Sequence, residues 1–222
     1  MYKIIKLNPQ NPNLTEIKRI GKILRSGKII VFPTDTVYGI GCDPYNIESI
    51  NKIYEIKNRK KEKGLPVLVS NFNRLNNFAL IDETAKILIR KFWPGQLTLI
   101  LNKVEKIPKI LTGGKNTIAV RQPNNLIANL ISNELKCGGI IGSSANISGE
   151  KEPITINEAI DQFKNKIDYY IDSGVSEKKV PSTILDLTKK PPILIREGPI
   201  SFESIKNIIE INSNLNKNGG HN

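Results

Sequence analysis

The sequence predicts a layered α/β domain built on a mostly buried, mixed sheet. Three observations carry that expectation. Segments of strand and helix character interleave from end to end, the pattern of helices packed on a sheet. The 222 residues suit one large domain, long enough to bury a core without disulfides or a structural metal. The 39% hydrophobic content is ordinary for a soluble globular chain.

In chain order, Tyr2–Leu7 alternates and is β-branched, so it reads as a strand. Leu14, Ile17, Ile20 and Leu24 recur at helical spacing, and Gly27 follows where a C-terminal cap belongs. Lys28–Phe32 is a short buried strand. A helix covers Ile47–Lys57 with Ile47, Ile50 and Tyr54 on one face, and Leu65–Val69 is a strand. Asp82 opens a helix carrying Ala85, Leu88, Ile89 and Phe92, which Pro94-Gly95 stops. Gln96–Leu101 and Thr117–Arg121 are strands, Leu126–Ile131 a helix and Gly139–Gly142 a strand. Thr155-Ile156-Asn157-Glu158 is a capping box that opens the next helix. Strands near Tyr169–Ile171, Thr183–Leu187 and Ile193–Arg196 precede a last helix, about Phe202–Ile211. The domain is expected to span residues 1–211, and the polar segment 212–222 is expected to be a disordered tail.

Composition excludes several chemistries. No apolar run approaches the ~18 residues of a membrane span. Met1–Lys6 lacks the apolar core of a signal peptide, and Cys42 and Cys137 show no framework spacing, so a cytoplasmic, reducing location is expected. The one histidine is His221, next to last in the chain. A Ser-His-Asp triad, a Cys-His pair and a histidine-bound zinc are therefore set aside. The net charge of +12 favours anionic partners.

Three segments have residue types suited to a binding site. Pro33-Thr34-Asp35-Thr36-Val37-Tyr38-Gly39-Ile40-Gly41 follows a buried strand directly. Its proline ends the ladder, its hydroxyls donate and accept, and its glycines let backbone approach a ligand. It could equally be a strand-to-turn junction held by Asp and Thr side chains. Lys57-Asn58-Arg59-Lys60-Lys61-Glu62-Lys63-Gly64 is a cationic loop at a helix end, suited to polyphosphate or RNA backbone, or simply a solvated charged loop. Gly142-Ser143-Ser144-Ala145-Asn146-Ile147-Ser148-Gly149 makes a compact hydrogen-bonding turn after a strand, good for phosphate or carboxylate, or only a serine-rich loop. Neither a Walker A motif nor G-x-G-x-x-G is present. Arg121 and Arg196 end strands, where an arginine can clamp an anion.

Together these segments resemble the YrdC-like family, the threonylcarbamoyl-AMP synthases. The matches also include Phe92-Trp93-Pro94-Gly95-Gln96-Leu97-Thr98, Ala119-Val120-Arg121, Pro181-Ser182-Thr183 and Arg196-Glu197-Gly198, in the family's order over roughly residues 5 to 210. The resemblance implies a twisted mixed sheet curving around a concave basic site. It implies synthesis of L-threonylcarbamoyl-AMP from L-threonine, bicarbonate (or CO2) and ATP, with release of pyrophosphate. A separate tRNA-modifying threonylcarbamoyl transferase then takes the product. Thr36, Arg121, Ser144 and Ser182 match positions that hold threonine. Arg59, Lys63, Thr117, Asn146 and Arg196 match positions that hold the nucleotide, with Lys57 at the same phosphate site. Lys57 and Arg59 are the expected catalytic pair, Mg2+ is expected on the ATP phosphates, and no protein side chain is expected to bind metal.

The chain also departs from the family pattern. Leu68 stands where some members have a histidine that contacts threonine, and Glu152 where a small hydroxyl residue is frequent. Gln96 and Lys60 each replace a common proline. Longer members add a C-terminal domain, so the single-domain form is expected. The alternative reading is an RNA-binding module without catalysis, and weak phosphate-directed RNA binding is compatible with either.

Overall fold

The computed structural model describes residues 2–176 and 180–218. Eleven strands and six α-helices follow one another in the order β1 (Lys3–Lys6), α1 (Leu14–Arg25), β2 (Ile30–Phe32), β3 (Gly39–Gly41), α2 (Ile47–Ile56), β4 (Val67–Val69), α3 (Glu83–Phe92), β5 (Leu97–Asn102), β6 (Thr117–Arg121), α4 (Leu126–Asn133), β7 (Gly139–Ile141), β8 (Ser143–Ser144), α5 (Ile156–Phe163), β9 (Tyr169–Asp172), β10 (Thr183–Asp186), β11 (Ile193–Arg196) and α6 (Phe202–Asn218). Among the described residues the helices are not long and apolar enough to cross a membrane.

The helices start where capping side chains are available. Asn13 accepts from the backbone N–H groups of Thr15 and Glu16, Asn46 from Ser49, and Asp82 from Ala85. Thr155 and Glu158 close the expected capping box at α5. One expected face needs correction. Ile47 is 56% exposed, and α2 buries Ile50, Ile53 and Tyr54 instead. The last helix continues past Ile211 to Asn218, and His221 lies outside the described residues.

The strands form two mixed sheets, a five-stranded one in the order β1-β9-β2-β3-β8 and a six-stranded one in the order β11-β10-β5-β6-β4-β7. Helices α1 and α4 share an apolar cluster in which Ile17, Ile20 and Leu24 meet Ile127 and Ile131. The other four helices contribute Ile50, Leu88, Phe163 and Ile205 to a second cluster. The sheets join at a corner. The Ile141 N–H donates to Cys42 O at 3.1 Å and the Gly142 N–H to Pro66 O at 3.0 Å. The chain then passes from β7 through Gly142 into β8, leaving the larger sheet for the smaller one. Both strands at this corner, β3 and β8, lie within segments whose sequence reads as turns. They pair with each other, Gly39 opposite Ser144 and Ile40 opposite Ser143.

Candidate active site

The Pro33–Gly41 segment is built as a rigid turn followed by a strand. The Thr34 hydroxyl donates to Val37 O at 2.6 Å and accepts from the Thr36 N–H at 3.1 Å, and the two threonine hydroxyls are 3.0 Å apart. Thr34, Asp35 and Thr36 are all buried. Gln96, on the turn before β5, donates to Asp35 O at 3.3 Å, so a side chain that replaces a common proline buttresses this turn.

Facing it is Arg121 at the end of β6, 4% exposed. Its Nη2 lies 3.2 Å from Asp35 Oδ1 and 3.4 Å from Thr36 Oγ1. Burial pulls the guanidinium below its ordinary range, the charge of Asp35 opposes that, and Arg196 adds to it. On the neighbouring strands the Thr98 and Ser182 hydroxyls are 2.8 Å apart, and Arg196 Nε donates to Ser182 O at 3.0 Å. Thr36, in the turn between β2 and β3, Arg121 and Ser144, at the ends of β6 and β8, and Ser182, just before β10, thus line one cavity.

The Ser143–Ser148 turn is held from behind. Ser144 Oγ donates to Asn146 Oδ1 at 2.6 Å, and Asn146 Nδ2 donates to Glu150 O at 2.6 Å. Lys57, at the end of α2, is 2% exposed. Its Nζ donates to Ser144 O and Asn146 O, both at 2.5 Å, and to Asn146 Oδ1 at 3.4 Å. Burial first, then Arg59, pushes this amine down to about 7, and Glu152 works against them. Lys57 and Asn146 therefore stand behind the cavity wall and shape it, while Ser144 faces the cavity.

Arg59, Lys63, Thr117 and Arg196 line the same cavity, Arg196 beside Ser182. Arg59 is pinned by hydrogen bonds from Nε to Gly64 O at 3.0 Å and from Nη2 to Lys63 O at 3.4 Å. The basic loop lies directly on the Leu111–Gly114 turn. The Leu65 N–H donates to Leu111 O at 2.8 Å, and a Cβ on Gly113 would come 2.5 Å from Lys61 O. Gly64 and Gly113 both have positive φ, +59° and +64°, so only glycine suits this close approach. Burial lowers the basicity of Arg59 and of Arg196, and Glu152 opposes the shift at Arg196.

The cavity has a volume of about 900 Å3, large enough for a nucleotide and an amino acid together. Its floor is one face of the larger sheet, with Thr98 and Ile100 on β5, Ala119 and Arg121 on β6, and Ile184 and Asp186 on β10. The sequence reading missed Thr34, Thr98, Lys115, Asn116, Asp186 and Lys189. Alternation along β5 and β10 marks Thr98 and Asp186 as facing their neighbours' site residues, a signal that exists only once strand order is known. Leu68 lines the cavity too, opposite Arg121 in the β4–β6 register. Glu152 does not line it and acts on Lys57 and Arg196 only through its charge.

A concave cavity lined by hydroxyls, the Arg121 guanidinium and further cations has the make-up of a small-molecule site. The Sua5/YciO/YrdC family, described as telomere recombination, matches residues 22–198. A threonylcarbamoyl-AMP synthase of Pyrococcus abyssi is 39% identical over 87% of this chain and 57% of its own length. A putative threonylcarbamoyl-AMP synthase of Methanocaldococcus jannaschii is 36% identical over 91% of this chain and 96% of its own. The P. abyssi Sua5 structure complexed with L-threonine superimposes with a TM-score of 0.88 at 37% identity, covering 93% of this chain and 61% of that one. The chain thus spans well under two thirds of the P. abyssi protein. It belongs to the Sua5/YciO/YrdC family.

Proposed function

We propose that this protein condenses L-threonine, bicarbonate or CO2 and ATP into L-threonylcarbamoyl-AMP, releasing pyrophosphate. The observation that carries this reading is one cavity lined both by Thr36, Arg121, Ser144 and Ser182 and by Arg59, Lys63, Lys115 and Arg196. The first group suits an amino acid: a guanidinium for its carboxylate and hydroxyls for its polar atoms. The second suits a polyphosphate. The relatives named as threonylcarbamoyl-AMP synthases support the assignment, as does a Sua5 solved with L-threonine.

The chemistry fits a site built without histidine. Threonine's amine adds to CO2, losing a proton, and becomes a carbamate. A carbamate oxygen then attacks the α-phosphorus of ATP, the bond from that phosphorus to the bridging oxygen breaks, and pyrophosphate leaves. The nucleophile is already anionic, so this step needs no strong base. The barrier is repulsion between anions and the demand for in-line geometry, and positioning together with positive charge lowers it. Arg59, Lys63, Lys115 and Arg196 supply the charge. Arg121 holds the carboxylate and leaves the amine free. Lys57 shapes the cavity wall through the Ser144–Asn146 turn that it anchors. Mg2+ enters with ATP, as part of the substrate complex. The product then passes to a tRNA-modifying threonylcarbamoyl transferase.

The test is pyrophosphate release by purified protein supplied with Mg-ATP, bicarbonate and L-threonine. Release should need all three, and L-serine should be poorer because it lacks the methyl group. Equal release with no amino acid present would contradict the reading.

A further inference from the structure

We infer that Asp35 is a positioning residue for substrate binding, a built-in counter-ion that seats the Arg121 guanidinium beside Thr36, in place to meet the substrate carboxylate. The inference rests on the proposed threonine site and assigns a role to a residue outside it: Asp35 does not line the cavity. Its side chain is 3% exposed, and its Oδ1 lies 3.2 Å from Arg121 Nη2. The angles at that contact fall short of a hydrogen bond, so Asp35 Oδ1 and Oδ2 have no hydrogen-bond partner among the described residues. The same holds for Arg121 Nη1. Buried polar atoms are nearly always paired, so the ion pair itself is the main compensation that these atoms of Asp35 and Arg121 have.

The geometry divides the guanidinium into two parts. Nη2 is turned to Asp35 and to Thr36 Oγ1, while Nη1 is buried and has no acceptor among the described residues. Asp35 itself cannot swing away. The Thr34–Val37 turn is fixed by three contacts of the Thr34 hydroxyl, and the Asp35 carbonyl is held by Gln96. Burial and Arg196 both disfavour the charged form of Arg121, and Asp35 is the neighbour that favours it. An empty site would otherwise hold an uncompensated buried cation, free to fold back onto Thr36 or a carbonyl. With Asp35 in place the guanidinium is seated before the substrate arrives, so that binding a carboxylate costs less reorganisation.

The experiment compares binding of L-threonine and of L-threoninol, in which a hydroxymethyl group replaces the carboxylate, in wild type, Asp35→Asn and Asp35→Glu. Wild type should prefer threonine by roughly 10- to 100-fold, the worth of a charge-assisted contact. Asp35→Asn should shrink that preference to about threefold, with the KM for ATP unchanged. Asp35→Glu, which keeps the charge but displaces it, should fall between. If Asp35→Asn or Asp35→Glu keeps the full wild-type preference, or loses threonine and ATP alike, Asp35 does not act through the clamp. A wild type that binds neither compound fails at the threonine site itself, and the Asp35 role falls with it. If Asp35→Asn does not fold, Asp35→Glu alone decides.

Discussion

At the scale of single residues, the two arginines should separate the two substrates. Arg121 faces Thr36 and Asp35, whereas Arg59 is pinned beside Lys63 and Gly64. Arg121→Ala should raise the KM for threonine by roughly 10- to 100-fold and Arg59→Ala the KM for ATP by a similar factor, since a hydrogen bond to a charged group contributes about 1.5–3 kcal/mol. Steady-state kinetics with each substrate varied in turn checks this, and equal changes in both KM values would mean the two arginines were misassigned. Lys57 has a different signature. Its amine is pushed down to about 7 in the fold, against its ordinary 10.5, chiefly by burial. The unfolded chain therefore binds more protons than the native one between those values, and native stability should rise with pH across that window. Paired thermal melts of wild type and Lys57→Met should show wild type gaining on the variant from pH 7 to 10; a constant difference would mean that Lys57 stays protonated, held by Ser144 O, Asn146 O and Asn146 Oδ1.

At the scale of elements, the corner where β7 becomes β8 is the part most sensitive to added bulk. A Cβ on Gly41 would lie 1.9 Å from the Ile141 carbonyl oxygen, a backbone atom fixed by pairing. A Cβ on Gly142 would meet Leu68 Cγ at 2.3 Å and Cδ1 at 2.4 Å, side-chain atoms that can shift more readily than a strand carbonyl. Gly41→Ala should therefore cost more than Gly142→Ala, which should itself cost about 1–3 kcal/mol as an overpacking change. Thermal melts should rank them in that order, and the reverse order would place the rigid contact at the wrong glycine. This corner also shows where the sequence stops being legible. The longer strands and the helices stand out because their apolar residues repeat with period 2 or 3.6 over enough positions. Gly39–Gly41 and Ser143–Ser144 are too short and too small-sided for any period, so they read as turns until their pairing is seen. The partition into two sheets depends on contacts such as Ile141 to Cys42, which no local pattern encodes. The same reason hides Lys115 and Asp186: each reaches the cavity only because distant strands lie side by side. Thr36, Arg121, Ser144 and Ser182 were legible because each sits in a short motif that matches the family. The inward turn of Lys57 was not, since a lysine in a basic loop reads as a phosphate contact until its acceptors are located.

At the scale of the whole molecule, one cavity joins two kinds of ligand chemistry, and the +12 net charge adds a field around it. The exposed Lys60, Lys61 and Lys63 follow Arg59 along the basic loop. Structured RNA should therefore bind weakly, its affinity should fall steeply with salt, and ATP should compete with it. Titrating tRNA at two salt concentrations with and without ATP checks this, and salt-insensitive binding would detach the charge from any phosphate role. The central claim, that threonine, a one-carbon unit and ATP are joined in this cavity, is tested most directly by supplying 13C-bicarbonate with Mg-ATP and L-threonine and following the label by mass spectrometry. The account predicts an adenylate that carries one 13C carbon, formed only when threonine is present and lost in Arg121→Ala at limiting threonine. Pyrophosphate or AMP released with no label in any adenylate would contradict it.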